Sequence, residues 1–351
     1  MARHRTAAAL VLGLVMAVSA ACTGGPNPPT TAAGPTETPA VVWGSDAERT
    51  IYLWDPETGD AEALFSTVAQ AAALGDAERS LDGKWVVYEG RVGDGPPQIF
   101  VLGTDGIERP LTDLAGGAYD PTWSPDGESI AFSGSEVEGS DLDIYTTELN
   151  GGAARRVAGT WKDDGHPDWS PDGRQIVFDS RTGDPRSGPG AILVTSVRSG
   201  ELDRLTPRRT RYAATVPAWS PDGRWIAYRV YVEGYTLNGW PWSARLWLMR
   251  PDGSGKRRIG GQNDDMRVIH APSWSPDGRF VVTQRSNWRE DLFQVLLFDP
   301  RTRRAQSVLK GIRDDAEPSW SVDGILLTLW SDDPVPTDPA SSAFRIQGLE
   351  E

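Results

Sequence analysis

The chain is short of cysteine, histidine and positive charge. Its 351 residues include one cysteine and three histidines, and 35 lysines and arginines stand against 49 acidic residues, which gives a net charge of -14. A single thiol cannot form an internal disulfide. The acidity disfavours nucleic acids, anionic lipid headgroups and polyanionic glycans as partners, and it favours a small neutral or cationic ligand.

Several catalytic motifs are missing as well. The sequence has no Gly-x-Ser-x-Gly elbow, no His-Glu-x-x-His helix and no phosphate-binding glycine loop. The segment 253–256, Gly-Ser-Gly-Lys, lacks the spacing of a nucleotide-binding loop. These absences favour a protein that is not an enzyme.

What the chain does have is a repeat. The order Trp-Ser-Pro-Asp-Gly begins at Trp123, Trp169, Trp219 and Trp274, a copy at Trp320 has valine for proline, and a degenerate copy occupies residues 80–83. Counted from serine to serine, the intervals are 44, 46, 50, 55 and 46 residues. This is the length of one propeller blade, so the sequence predicts an all-β protein built as a β-propeller.

Each copy of the repeat reads as a tight hairpin turn. Proline presets φ, the aspartate caps a backbone group, and the glycine accepts the left-handed position. Short runs rich in β-formers follow every glycine, and they predict four antiparallel strands per blade with the tryptophan on the first. We expect the tryptophans to pack between blades. The turn aspartates are expected to act as caps, and they are Asp126, Asp172, Asp222 and Asp277.

The number of blades follows from pairs of second and third strands. Seven pairs can be counted, because a further pair (51–54 and 60–65) precedes the first turn. The sequence therefore favours a single seven-bladed propeller over residues 41–351, and six blades is the alternative if one terminal unit is a fragment.

The N-terminus predicts export. Two arginines precede a short apolar stretch, 7–18, and small residues lead to Cys22, so residues 1–21 are interpreted as a lipoprotein-type signal peptide and Cys22 as the lipidated residue. An ordinary secreted protein is the alternative. Residues 22–40, rich in threonine, proline and glycine, are expected to form a flexible tether. The predicted location is the outer face of the cell membrane, held there by the lipid alone.

Candidate site residues lie where the chain passes from one blade to the next, on the face opposite the turns. Carboxylates and the two histidines beyond the signal could meet at the channel mouth and bind a ligand or a divalent metal, for which His166, His270 and Glu317 are the candidates. Alternatively, these residues cap strands and solvate the rim. The full set is Asp120, Asp164, His166, Asp265, His270, Asp315 and Glu317.

The longest interval between repeats comes from an aromatic segment, 230–243. It holds four candidate recognition residues, Tyr231, Tyr235, Trp240 and Trp242. Such a loop could bind a peptide or a neutral sugar, or it could fold back and bury its own aromatic rings.

The repeat resembles that of the TolB-like β-propellers, over most of residues 80–330. The resemblance implies the propeller fold and a bacterial exported lipoprotein of the cell envelope. We expect a monomeric, non-catalytic scaffold that binds an envelope protein or a small ligand through its channel face. The alternative is a metal-assisted lyase or hydrolase that uses His166, His270, Asp120 and Glu317.

Overall fold

The computed structural model describes residues 50–54, 61–66, 72–181, 190–207, 213–231, 236–237, 240–241, 244–260, 271–287, 292–312 and 319–320. Within them the chain forms five four-stranded antiparallel sheets and two two-stranded sheets. In four-stranded sheets the strands follow one another in chain order, apart from a small hairpin inserted in the fourth sheet. These sheets are the blades of a β-propeller, as the repeat predicted.

We number the four-stranded sheets blade 1 to blade 5. A two-stranded sheet, β1 (Thr50–Trp54) and β2 (Ala61–Ser66), precedes them. Blade 1 consists of β3 (Ala72–Arg79), β4 (Trp85–Arg91), β5 (Gln98–Gly103) and β6 (Glu108–Pro110). Blade 2 consists of β7 (Ala118–Trp123), β8 (Ser129–Gly134), β9 (Asp143–Glu148) and β10 (Arg155–Ala158). Blade 3 consists of β11 (Asp163–Trp169), β12 (Gln175–Arg181), β13 (Ala191–Ser196) and β14 (Leu202–Arg204).

Blade 4 consists of β15 (Ala214–Trp219), β16 (Ile226–Tyr231), β19 (Ala244–Met249) and β20 (Arg257–Arg258). Its second and third strands are joined by the inserted hairpin of β17 (Thr236–Leu237) and β18 (Trp240–Pro241). Blade 5 consists of β21 (Ser273–Trp274), β22 (Val281–Asn287), β23 (Leu292–Asp299) and β24 (Arg304–Ile312).

The repeat turn has the same structure in every described copy. In blade 2 the Ser124 hydroxyl donates to Asp126 Oδ1 at 2.5 Å and accepts the Ser129 N–H at 2.9 Å. The Gly127 N–H donates to the Ser124 carbonyl at 2.9 Å, and Gly127 has a φ of 71°. The degenerate copy at Ser80 keeps these bonds without the proline. The expectation that the aspartates cap turns is therefore confirmed.

The hydrophobic core lies between blades. Trp123 packs with Val87, Ile99 and Val101 of blade 1, and Trp169 packs with Ile144 of blade 2. Trp219 and Trp274 do the same at the next two junctions. Each repeat tryptophan therefore fixes its blade to the preceding one, as predicted.

The first strands of consecutive blades contact one another, which places them at the propeller centre. Each of the first four carries a register shift in its pairing with the second strand. A β-bulge of this kind bends the strand and redirects its side chains. The shifts lie between Gly75 and Glu78, Tyr119 and Thr122, Gly165 and Asp168, and Thr215 and Ala218.

The observed sheets match the predicted strand pairs, including β1 with β2 ahead of the first turn. Most of the terminal unit after Trp320 and the N-terminal residues 1–49 fall outside the described ranges. The count of seven blades and the boundaries of the signal, the tether and the propeller remain predictions. Among the described residues, no helix is long and apolar enough to span a membrane.

Candidate functional site

Three residues at the centre of the propeller have an unusual backbone. Asp120, His166 and Val216 have φ values of 51°, 49° and 52°, and each stands three residues before a repeat tryptophan in the bulged first strand. Left-handed backbone is uncommon outside glycine, and it costs most for a β-branched residue such as valine. The same strained position in three consecutive blades indicates that the bulge serves to aim side chains.

Carboxylates from the preceding blade bind the backbone at two of these positions. Asp120 of blade 2 accepts the His166 N–H of blade 3 at 3.1 Å. Asp179 of blade 3 accepts the Val216 N–H of blade 4 at 2.7 Å. Because a bulge removes these N–H groups from the strand ladder, the carboxylates supply the partners that buried donors need.

Asp179 is the centre of the cluster. Its side chain is fully buried at the fifth position of β12. The carboxylate lies 3.1 Å from His166 Nδ1 and 2.9 Å from Arg181 Nε. One buried charge thus orients an imidazole and a guanidinium toward the channel mouth.

The charges of this cluster stabilise one another. Burial opposes the charged form of His166, but Asp120 and Asp179 outweigh it, so the pKa of His166 is raised. Burial also opposes the Asp179 carboxylate, but His166 and Arg181 outweigh it, and the pKa of Asp179 is lowered. The imidazolium and the carboxylate therefore favour each other's charged forms.

Asp120 is the fourth member of the cluster, after Asp179, His166 and Arg181. Asp120 and His166 are the two members that the sequence predicted. Its Oδ2 accepts the Ser133 hydroxyl at 2.8 Å, and its Oδ1 lies 4.0 Å from His166 Nε2. The side chains of Asp120, His166 and Arg181 are 19%, 24% and 25% exposed, respectively. They remain reachable from solvent, and the arrangement can form hydrogen bonds and ion pairs with a ligand or move a proton on His166 Nε2.

Asp179 and Arg181 were not among the predicted site residues, because those candidates were all taken from first strands, blade links and the aromatic segment. The signal was present in the repeat: the ninth residue after each repeat serine is polar in every described blade. In blades 1 to 4 this position follows three apolar or aromatic residues on the second strand, where a fourth apolar residue would be ordinary. The five residues are Glu89, Ser133, Asp179, Arg229 and Gln284.

Arg229 extends the cluster into blade 4. It is buried, its Nε donates to Thr215 Oγ1 at 3.1 Å, and its guanidinium lies 4.7 Å from the centre of the Tyr231 ring. Tyr231 also packs against the core between blades 4 and 5. Of the predicted recognition residues, Tyr231 therefore belongs to the wall of the blade and not to an exposed aromatic loop.

Asp164 does not join Asp120 and His166. Its fully buried carboxylate accepts the Thr160 N–H at 2.6 Å and the Thr160 hydroxyl at 2.9 Å. Burial raises the pKa of Asp164 to about 6. Asp164 therefore caps the link between blades 2 and 3.

The other predicted site residues cannot be placed. Among the described residues no three His, Cys, Asp or Glu side chains are grouped so as to hold a metal ion. With His270 and Glu317 undescribed, the metal site stays a prediction. Trp240 is described only as backbone in β18. The residues outside the described ranges are Cys22, Tyr235, Trp242, Asp265, His270, Asp315 and Glu317.

An exposed tryptophan lies in the link between blades 2 and 3. Trp161 is 80% exposed, two residues before β11, and Lys162 Nζ lies 4.8 Å from its ring centre. This blade link is on the channel-mouth face, opposite the repeat turns. A large apolar ring left in solvent beside reachable polar groups is typical of a protein-contact surface.

A separate cavity of about 710 Å³ lies on blade 1. Its lining includes Gln98, Phe100, Glu108 and Leu114, and none of the cluster residues. The cavity and the channel-mouth cluster are therefore distinct features.

Comparison with known proteins identifies the repeat. The sequence profile of the TolB beta propeller domain matches residues 80–238. Residues 80–238 are thus similar to the TolB β-propeller domain family. The TolB-type match begins at the degenerate turn of blade 1 and ends in the inserted hairpin of blade 4.

Similar proteins include both a peptidase and TolB-type propellers. An uncharacterized peptidase of Bacillus subtilis, YuxL, is 31% identical over 183 residues, which are 51% of this chain and 25% of that protein. The chain thus spans about a quarter of that relative. A TolB-type structure from Agrobacterium tumefaciens has a TM-score of 0.62 at 23% identity and covers 80% of this chain and 96% of its own.

An oligogalacturonate lyase of Vibrio parahaemolyticus has a TM-score of 0.57 at 15% identity, covering 85% of this chain and 78% of its own. At such identities the structural likeness shows the fold alone. The TolB-type propeller is therefore shared with proteins of different activities, and the fold does not select among them.

Proposed function

We propose that this TolB-type propeller is a non-catalytic, extracytoplasmic scaffold that binds a segment of a protein partner at its channel mouth. The observation that carries the proposal is the convergence of Asp120, His166 and Arg181, which remain reachable from solvent around the buried Asp179. These side chains are not needed to close the hydrophobic cores between blades. The strained backbone of Asp120 and His166 has a cost that a binding role explains.

The chemistry of the face suits a peptide. Cations and carboxylates stand side by side, with His166 and Arg181 against Asp120 and Asp179. A ligand whose charges are all of one sign would be attracted by some of these side chains and repelled by the others. A peptide, in contrast, supplies both hydrogen-bond donors and acceptors from its backbone. Trp161 adds a large apolar contact at the rim, and tryptophan and arginine are the residues that contribute most at protein interfaces.

The N-terminus supports an envelope location for the scaffold. Residues 1–21 have the composition of an export signal, and Cys22 follows the small residues of a lipoprotein cleavage site. Lipidation of Cys22 and a tether over residues 22–40 would hold the propeller at the membrane surface, free to meet an envelope partner.

Site-specific photo-crosslinking tests the binding face. A photoreactive amino acid at position 161 should give a discrete adduct with one envelope protein in the producing cells. Position 107 is the control, because Ile107 is also exposed, at 57%, but lies in the β5–β6 turn on the opposite face. Arg181→Ala should weaken the adduct from position 161 while the circular dichroism stays unchanged. Equal adducts from both positions, or none, would refute the proposed face.

A second experiment tests the anchor. Incorporation of labelled fatty acid into the chain should disappear in Cys22→Ala, and the variant should move from the membrane to the soluble fraction. Label that persists in the variant would rule out lipidation at Cys22 while leaving the binding proposal intact.

A further inference from the structure

The cavity on blade 1 lies on the side of the sheet that does not form the core with blade 2. In β5, Ile99 and Val101 pack with Trp123 of blade 2. Successive residues of a strand point to opposite faces, so Gln98 and Phe100 point away from blade 2, and both line the cavity. The cavity is therefore separate from the core between blades 1 and 2.

The outermost strand of blade 1 brings a carboxyl group to the same face. In the pairing of β5 with β6, Phe100 lies opposite Pro110 and Leu102 lies opposite Glu108. Residues that lie opposite each other in a sheet share a face, and both Pro110 and Glu108 line the cavity. An acid thus stands beside apolar rings in one recess.

A buried tyrosine holds this acid in place. Tyr88 is almost fully buried, and its hydroxyl donates a hydrogen bond to Glu108 Oε1. The Tyr88 ring stacks on the Phe100 ring, with the ring centres 5.8 Å apart. The two oxygens of a carboxylate can accept about four hydrogen bonds, so Glu108 keeps acceptor capacity for a ligand.

The link between blades 1 and 2 forms another wall of the cavity, and it is tied to β5. The side-chain oxygen of Gln98 accepts the Thr112 hydroxyl at 2.7 Å and the Leu114 N–H at 3.0 Å. The side-chain amide of Gln98 donates to the Leu114 carbonyl at 2.8 Å, and Thr112 Oγ1 accepts the Ile99 N–H at 2.8 Å. Because these bonds fix the wall beforehand, a ligand has little of it to order on binding.

The charge of the cavity has one sign. Glu108 and Asp113 line it, and no lysine, arginine or histidine is present among the described lining residues. Apolar surface comes from Val92, Phe100 and Leu114. The volume of about 710 Å³ lies within the usual range for small-molecule sites, about 300–1,000 Å³. A ligand that fits must therefore be small, partly apolar and positively charged.

We propose that this cavity binds a small organic cation with an apolar body, of the class of arylalkyl amines. The ammonium group binds the carboxylates of Glu108 and Asp113, and the apolar body lies against Phe100. Hydrogen bonds between charged groups are stronger than neutral ones, and the apolar contact removes hydrophobic surface from water. The net charge of -14 attracts cations to the chain and repels anions. This site is independent of the peptide-binding face proposed above.

Three probes with one apolar body test the recognition of charge. Phenylbutylamine, phenylbutanol and phenylbutyrate differ only in a cationic, neutral or anionic head group, and their affinities for the full chain can be measured by isothermal titration calorimetry at low salt. The amine should bind about tenfold more tightly than the alcohol, and the carboxylate should not bind. Equal affinities for amine and alcohol, or no heat from any probe at millimolar concentration, would overturn the proposal.

Substitutions of the acids test where the amine binds. Glu108→Gln keeps an oxygen to accept the Tyr88 hydroxyl but loses the charge, so it should weaken the amine roughly tenfold and leave the alcohol unchanged. Asp113→Asn should have a smaller effect, about threefold, because Asp113 is exposed. Glu128→Gln is the matched control, since Glu128 is exposed at the repeat turn of blade 2 and does not line the cavity.

A further variant closes the cavity without removing a buried contact. Ala115 is exposed and lines the cavity, so the indole of Ala115→Trp should fill it and abolish binding of the amine, while the circular dichroism stays unchanged. Amine binding that is undiminished in Ala115→Trp or in Glu108→Gln would show that the amine binds elsewhere. A loss in Glu128→Gln as large as that in Glu108→Gln would reduce the effect to net charge. Each of these results would overturn the proposal and leave the channel-mouth proposal untouched.

Discussion

Asp179→Asn should be among the most disruptive conservative changes in the described part of the chain. The carboxylate is fully buried and holds His166 Nδ1 at 3.1 Å, Arg181 Nε at 2.9 Å and the Val216 N–H at 2.7 Å. Asparagine keeps the shape but removes the charge, which leaves His166 and Arg181 without the buried carboxylate that pairs with both. Breaking a buried ion pair in this way costs about 3–5 kcal/mol.

The same substitution should weaken a pH dependence. In the wild type the pKa of His166 is raised, so its stabilising effect is present below the ordinary value and is lost as the pH rises through the folded value. Without Asp179, only Asp120 still offsets burial and the Arg181 charge, so the pKa of His166 should fall from its raised value. The variant should therefore gain less stability from this group than the wild type does as the pH falls.

Thermal unfolding at pH 5.5 and pH 7.5 gives both readouts. The Tm of Asp179→Asn should lie roughly 10 °C below that of the wild type, with the larger gap at pH 5.5. Asp172→Asn is the control in the same blade, because Asp172 caps an exposed turn and should change the Tm little in comparison. If the two variants unfold at the same temperature, or if the gap is larger at pH 7.5, the electrostatic reasoning about the cluster is wrong.

Two further predictions concern the blades. Ser124→Ala should destabilise the chain by about 1–3 kcal/mol, because Asp126 and the Ser129 N–H both lose the buried hydroxyl; an unchanged midpoint in urea would contradict this. Phe178→Ala should cost about 3–5 kcal/mol, since Phe178 is fully buried between blades 2 and 3, and a loss below 1 kcal/mol would mean that the core closes around the gap.

The fold was predictable because its determinants are local and repeated. A serine, an aspartate and a glycine within four residues form the turn by bonding to one another, so the turn survives at Ser80 without proline. The tryptophan that precedes it is large and apolar and must be buried, which places it between blades. Neither inference needs information from distant parts of the chain.

The site was only partly predictable. Asp120 and His166 were identified because they stand in the blade links, and they do lie together. Asp164 was identified on the same grounds, but its carboxylate bonds to Thr160 in the blade link. Asp179 was missed because its partners are brought to it by the bulges of neighbouring first strands, and the recurrent polar residue at its repeat position was its one local signal.

By itself, the sequence determined the blade unit, the turn chemistry and the side of the propeller that carries variation, because these depend on residues a few positions apart. Only the tertiary structure decided which acids act together. Asp179 meets His166, and the Glu78 carboxylate of blade 1 accepts the Trp123 N–H of blade 2, because packing brings bulged first strands of successive blades side by side at the centre. The burial that raises the pKa of Glu78 and the ion pairs that lower the pKa of Asp179 are likewise properties of that packing.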